Sequence, residues 1–314
     1  AGAAVTVSVN AGDPQGVASM RLWYAVNEGS WVNVAMTHQG SGDYVGIIPG
    51  QSASALVQFY VQGTDALGGV STFPASGPDS RALYRVQDGA ASTSGVDNIR
   101  ILMTDSDVEV LYGWKNASSN DRLNGTVIYN EIEVFYNIGV RFKGSIVTRG
   151  RDPGQVGFNI RLDPDHLFRG AVEKIGVKTN GRDEILVKHI INHAGGVPAR
   201  YDDLVYYIRP NRQGNSPAIL TLDPYGNDFL DSQYADGADG TVFKMEGISV
   251  ILETTDGDPE SLKVPQPLGW QAEVDLQDLG SDKEQYRWLW GNLNNHDTDD
   301  YSGLIAMAQD FGLT

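Results

Sequence analysis

Four basic side chains, Arg141, Lys143, Arg149 and Arg151, fall within eleven positions of a chain that otherwise carries 40 acidic against 23 basic residues. They flank Gly144-Ser145, a small turn that ends the strand-like run from Asn137 to Lys143. Small turn residues let backbone N–H groups approach an anion, and arginine or lysine supplies the counter-charge. Contact with phosphate is the chemistry this stretch could do, although the same residue types also make an ordinary strand-to-turn passage. His189 and His193 stand four apart on one face of a helical pattern, a geometry that can bind metal. No third ligand is evident near them in the sequence, and histidines of amphipathic helices are commonly packed or solvated. Asp256 with Asp258, or Asp297 with Asp299 and Asp300, could hold Ca2+ through oxygen ligands, but neither run follows EF-hand spacing.

Composition removes several classes of chemistry. The chain has no cysteine, which excludes disulfides, thiolate metal sites and cysteine nucleophiles. A net charge of −17 repels nucleic acid and anionic membrane surfaces. No run approaches the roughly 18 to 20 apolar residues that span a bilayer as a helix. No Gly-x-Ser-x-Gly elbow is present for a serine hydrolase. A glycosidase needs two placed carboxylates, and 40 acidic residues make any pair uninformative. Asn116-Ala117-Ser118 and Asn124-Gly125-Thr126 are glycosylation sequons with no further support. The acidic, Gly-, Ser- and Asp-rich composition fits an exported, extracellular or cell-surface protein. The opening Ala1-Gly2-Ala3-Ala4-Val5 reads as a mature or excised terminus compatible with export.

The elements that must position these residues divide at a small, polar stretch, Asp88 to Gly95. Residues 1–88 read as β throughout, with alternating runs at Val5–Val9, Met20–Val26, Trp31–Met36, Tyr44–Ile48, Leu56–Gln62 and Ala82–Val86. Turn signals separate them, and six or seven short strands describe a β-sandwich. Residues 89–96 form a linker whose composition predicts some independence of the two parts. Residues 97–314 mix strands and helices. Ile99–Met103 is a strand, after which Thr104 or Asp105 caps a short helix through Leu111. A strand or hairpin is expected over 126–137 and another over 138–143, and strands over 156–162, 204–208, 218–222, 242–244 and 249–252. Helices are expected over 182–194, 227–234, 283–293 and 302–311.

The order of features in residues 1–88 resembles the Ig-like or fibronectin-type-III-like modules of secreted bacterial proteins. Trp23-Tyr24, Trp31-Val32, Gly42-Asp43-Tyr44, Ile48-Pro49-Gly50 and Val57–Tyr60 before Asp65-Ala66 carry it. Such a module spaces or adheres rather than catalyses, and its tryptophans either pack in its core or form a sugar-binding platform. In the second part, Val134–Ser145 resembles the Val/Ile-Arg-x-Arg/Lys-Gly-Ser/Asn signature of the CotH (spore coat protein H) kinase family. Phe158–Leu162, Phe168-Arg169-Gly170 and His193–Ala199 resemble that family in the same order. Leu220–Tyr225, Asp228-Phe229-Leu230 and Asp239–Lys244 follow, so that the likeness covers residues 97–312.

The resemblance implies an all-β sandwich followed by an α+β, atypical protein-kinase-like domain of CotH type. It implies transfer of a phosphoryl group from ATP, with Mg2+, to a secreted or surface protein substrate. Arg141, Lys143, Gly144 and Ser145 would lie over the nucleotide phosphates, Arg161 would supply a cation, and Asp223 would stand at the hinge. The chain departs from the family pattern at Gln155 and Asn159, where lysines are usual, and at Asp223, where glutamate is usual. The family's catalytic Asp and metal-binding Asp motif lie beyond the helices that resemble Gln285–Phe311. Neither can be assigned before Thr314, so catalytic residues stay unknown and the domain reads as truncated at its C-terminus. The alternative function is a non-catalytic surface module for adhesion or display.

Overall fold

The computed structural model describes residues 1–91, 95–113, 119–144, 149, 156–179, 182–195, 202–210, 216–222, 226–245, 251–254, 263–265, 276–287 and 290–312. In the N-terminal part, β1 (Val5–Asn10) pairs with β5 (Asp43–Ile48), which pairs with β4 (Thr37–Gly40). A second sheet runs β3 (Val32–Ala35), β2 (Val17–Val26), β6 (Leu56–Asp65), β7 (Val70–Phe73), with β8 (Leu83–Arg85) also on β6. Alternate residues of a strand face opposite sides, and Met20, Leu22, Met36, Ile48, Val57 and Val61 close one core between the two sheets. Trp23 takes the other face of β2. It stacks on Tyr60 across the strand pair, and Trp31 meets the same ring edge-on. Both tryptophans therefore lie outside the core formed between the sheets.

The second part is organised by a closed barrel of seven strands in the order β10, β11, β12, β13, β15, β14, β9. These are β9 (Asn98–Leu102), β10 (Leu123–Tyr129), β11 (Glu133–Phe142), β12 (Phe158–Arg161), β13 (Lys174–Thr179), β14 (Asp202–Ile208) and β15 (Ser216–Leu222). Every pairing is antiparallel except β14 with β9, which closes the cylinder in parallel. Closure removes free sheet edges. Its interior is filled by Ile99, Ile101, Phe135, Phe142, Phe158, Ile160, Val177, Tyr207 and Leu220, all nearly inaccessible. Helix α1 (Asp105–Tyr112) follows β9 and puts Val108, Leu111 and Tyr112 into the same core. Helix α2 (Arg182–Ala194) connects β13 to β14 and packs against β14 and β15.

Beyond the barrel come α3 (Asn227–Gln233), β16 (Phe243–Met245), β17 (Ile251–Thr254), β18 (Lys263–Pro265), α4 (Glu284–Arg287), β19 (Trp290–Asn292) and α5 (Ser302–Phe311). A separate small core there joins Tyr286, Tyr301, Leu304 and Ala308.

This architecture overturns the expected fold class. Among the described residues the molecule is mostly β, 40% strand to 20% helix, and its second part is a seven-stranded barrel with further small sheets, not an α+β kinase-like domain after a sandwich. The physical reason is the pairing of β9 with both β10 and β14. Local periodicity identifies strands one at a time and is silent on which distant strand completes the ring. The helix expected over 283–293 is also cut short: α4 ends at Arg287, and Trp290–Asn292 pairs with β16 instead.

The two parts are in contact beside the linker, whose composition predicts some independence. Leu56 and Leu83 pack with Leu102, Ile128 and Val134 of the barrel wall, and Phe59 meets Tyr136 edge-on. The Leu83 N–H donates to Thr126 Oγ1 at 3.0 Å, and Arg81 pairs with Asp107 of α1 at 2.5 Å. Asp88, where the linker begins, is itself paired with Arg100 of β9 at 2.5 Å.

Candidate functional site

Strand β11 alternates cleanly in its second half. Ile138, Val140 and Phe142 face the barrel core, so Gly139, Arg141 and then Lys143 face outward. Cross-strand register aligns Arg141 with Asn159 of β12, Gly176 of β13 and Thr221 of β15 in one outward row. Lys143 reaches across this row, and its Nζ donates to Thr221 Oγ1 at 3.0 Å. The Thr221 hydroxyl in turn donates to the Gly176 carbonyl at 3.1 Å. Gly176 makes the crossing possible. A Cβ there would stand 2.4 Å from Thr221 Oγ1 and 3.0 Å from Lys143 Nζ.

Arg141 and Arg149 converge on a single acceptor. Arg141 donates to Asn120 Oδ1 at 2.5 Å, and Arg149 reaches the same oxygen at 3.3 Å. Arg149 is buried, with Nε on the Gly144 carbonyl at 2.6 Å and a terminal nitrogen on the Ser119 carbonyl at 2.9 Å. Gly144 turns the chain away from the barrel with φ of 112°, a left-handed value that suits glycine. Arg141, Lys143, Gly144 and Arg149 are thus brought together at one end of β11.

Arg161 lies on the same outer face of the barrel but outside this cluster. It faces outward one row further along, opposite Gly139 and Lys174, and its Nε donates to Glu173 at 2.7 Å. The Arg122 stem covers Gly139, whose Cβ would meet Arg122 Cδ at 2.7 Å. Burial first, and then the charge of Arg161, lowers the Arg122 guanidinium below its ordinary range. Ser145, Asp223, Arg151 and Gln155 lie outside the described residues.

Sequence reasoning missed Asn120, Ser119, Thr221 and Gly176. Only Gly176 carried a usable signal, since a glycine inside a strand marks close approach by another group. Chemically, two guanidiniums and an ammonium beside a glycine turn suit an anion with several oxygens, because arginine reads such oxygens in pairs. The cationic half of a nucleotide-phosphate site fits these residues. Ligands for Mg2+ do not come with it: no group of three or more His, Asp or Glu side chains placed to hold a metal ion is found among the described residues.

No protein-family model matches the chain, and no curated protein matches it. Among solved structures, one similar chain is described as a crystal structure of a Br derivative of BhCBM56. It is 19% identical over 22% of this chain and 71% of that one, with a TM-score of 0.19. An overlap that slight carries no argument.

Proposed function

We propose that the outer face of the barrel binds a phosphate-bearing ligand, and that this ligand is ATP, the nucleotide implied by the resemblance of Val134–Ser145 to the CotH kinase signature. The observation that carries this reading is the meeting of Arg141 and Arg149 on Asn120 Oδ1, with Lys143 two residues on and fixed by Thr221. Three cations gathered beside one glycine turn, on a chain of net charge −17, make a local exception to the surface field. Lys143 acts as the point charge, Arg141 orients the phosphate oxygens, and buried Arg149 holds the Gly144 turn and Asn120 beside them. Mg2+ bound to the nucleotide would neutralise the charge that phosphoryl transfer develops. Transfer to a protein substrate would further need an Asp base and metal-binding carboxylates.

Differential scanning fluorimetry with ATP and Mg2+, and separately with tripolyphosphate, tests the proposal. Both raise the melting temperature of the unaltered chain. Lys143→Ala and Arg141→Ala each remove most of the rise, and Arg161→Ala leaves it in place. An equal rise in all variants, or none in the unaltered chain, refutes the reading.

A further inference from the structure

His189 and His193 occupy successive turns of one face of α2, and both are exposed. Their ring centroids are 4.0 Å apart with planes inclined by 41°. His193 Nδ1 lies 2.9 Å from the His189 backbone carbonyl oxygen. A carbonyl only accepts, so Nδ1 carries the proton and donates it. In the neutral ring the lone pair then belongs to Nε2. A ring anchored through one N–H on a backbone carbonyl is the arrangement that orients metal-ligating imidazoles.

The helix beneath the pair packs against β14 and β15. Glu184 pairs with Lys188 one turn on, at 3.0 Å, and with Lys178 of β13. Both imidazoles therefore project from a scaffold fixed to the barrel.

We propose that His189 and His193 form a two-imidazole chelate for a divalent cation of the Cu2+, Ni2+ and Zn2+ class, with water in the remaining coordination positions. Imidazole nitrogen suits these ions, whereas Mg2+ and Ca2+ take oxygen, and Cu2+ heads the affinity order. The chain holds no thiolate to compete for such a metal. Among the described residues, His38 lies against Tyr44 and His166 against Phe135, aromatic rings rather than a second imidazole. The strongly acidic surface raises the local concentration of cations. This site is independent of the anion site on β11.

Isothermal titration of the full chain with Cu2+, repeated with Zn2+, reads the proposal directly. One equivalent binds. His189→Gln and His193→Gln each weaken it by about tenfold or more, the double variant loses it, and His166→Gln does not change it. Circular dichroism of each variant confirms that the fold persists. As a second measurement, substoichiometric Cu2+ broadens the imidazole proton signals of His189 and His193 in the unaltered chain before those of the other histidines. Retention of the equivalent by the double variant, no binding by the unaltered chain, or uniform broadening overturns the proposal.

Discussion

Gly176 has no side chain at a point in β13 where one would normally cover the outer sheet face, and Lys143 and Thr221 fill the space. Gly176→Ala is therefore expected to displace the Lys143–Thr221 contact, since the new Cβ would fall within 2.4 Å of Thr221 Oγ1. The measurable result is a weaker rise in melting temperature with tripolyphosphate while the barrel stays folded. A second residue tests the barrel interior. The hydroxyl of Tyr207 is fully buried with no hydrogen-bond partner among the described residues, and burial pushes its ionisation well above the ordinary tyrosine value. An unpaired buried hydroxyl costs about 1–3 kcal/mol. Tyr207→Phe should then leave stability unchanged or raise it by about 1 kcal/mol in urea unfolding. A clear loss would mean that the hydroxyl has a partner. At this scale the basic residues were legible as a run of charges, while Thr221 and Asn120 were not. Their relevance comes from the strand register and from a neighbouring segment, neither of which local sequence records.

Among the elements, α1 shows how local rules and tertiary contacts act together. Thr104 caps it in the ordinary way, its hydroxyl accepting the Asp107 N–H at 3.2 Å. A second acceptor arrives from the N-terminal part: the Glu28 carboxylate takes the N–H groups of Asp105 and Ser106 at 3.0 and 3.2 Å. A carboxylate there also meets the positive end of the helix dipole. Thr104→Ala should lower stability by about 1 kcal/mol, measured by chemical denaturation. The position of α1 was readable from Thr104 and the apolar spacing, and α2 from Ile185, Leu186, His189 and Ile190. The expected helix over 283–293 was not realised in full. Gly291 is a poor helix residue, and pairing of Trp290–Asn292 with β16 satisfies its backbone instead. Tertiary pairing overrode a weak local preference.

Across the whole molecule, the junction between the two parts is where stability is most exposed to test. Leu83 is fully buried at it, and truncating such a leucine costs about 2–5 kcal/mol. Leu83→Ala is expected to turn a single calorimetric unfolding transition into two, as the parts lose their shared contacts. One unaltered transition would show that the junction does not couple them. The linker adds a pH-dependent contribution. Arg100 is 4% exposed and is bound by Asp88 at 2.5 Å and Glu131 at 3.0 Å. Burial alone would raise the Asp88 pKa, but the hydrogen bond and charge of Arg100 bring it below the ordinary value. A lowered carboxylate pKa stabilises the fold fully above the unfolded pKa, about 3.9, and loses that contribution as pH falls through the folded value. The stability gap between the unaltered chain and Asp88→Asn should thus be constant from pH 7 to 5 and close below about pH 3.9. A gap that widens on acidification would contradict the assignment.

The sequence by itself determined the strand content of residues 1–88, the existence of α1 and α2, the excess of acid, and the cluster of cations around Gly144. Each of these is a property of neighbouring residues, expressed through periodicity, capping and composition. Only the tertiary structure decided that β9 closes a barrel by pairing with β14 about a hundred residues away. It also decided that Asn120 and Thr221 join the cations, and that an ordinary-looking linker is pinned by Arg100. These outcomes depend on which distant surfaces exclude water together and which buried polar groups then need partners. That choice is made by the whole chain at once.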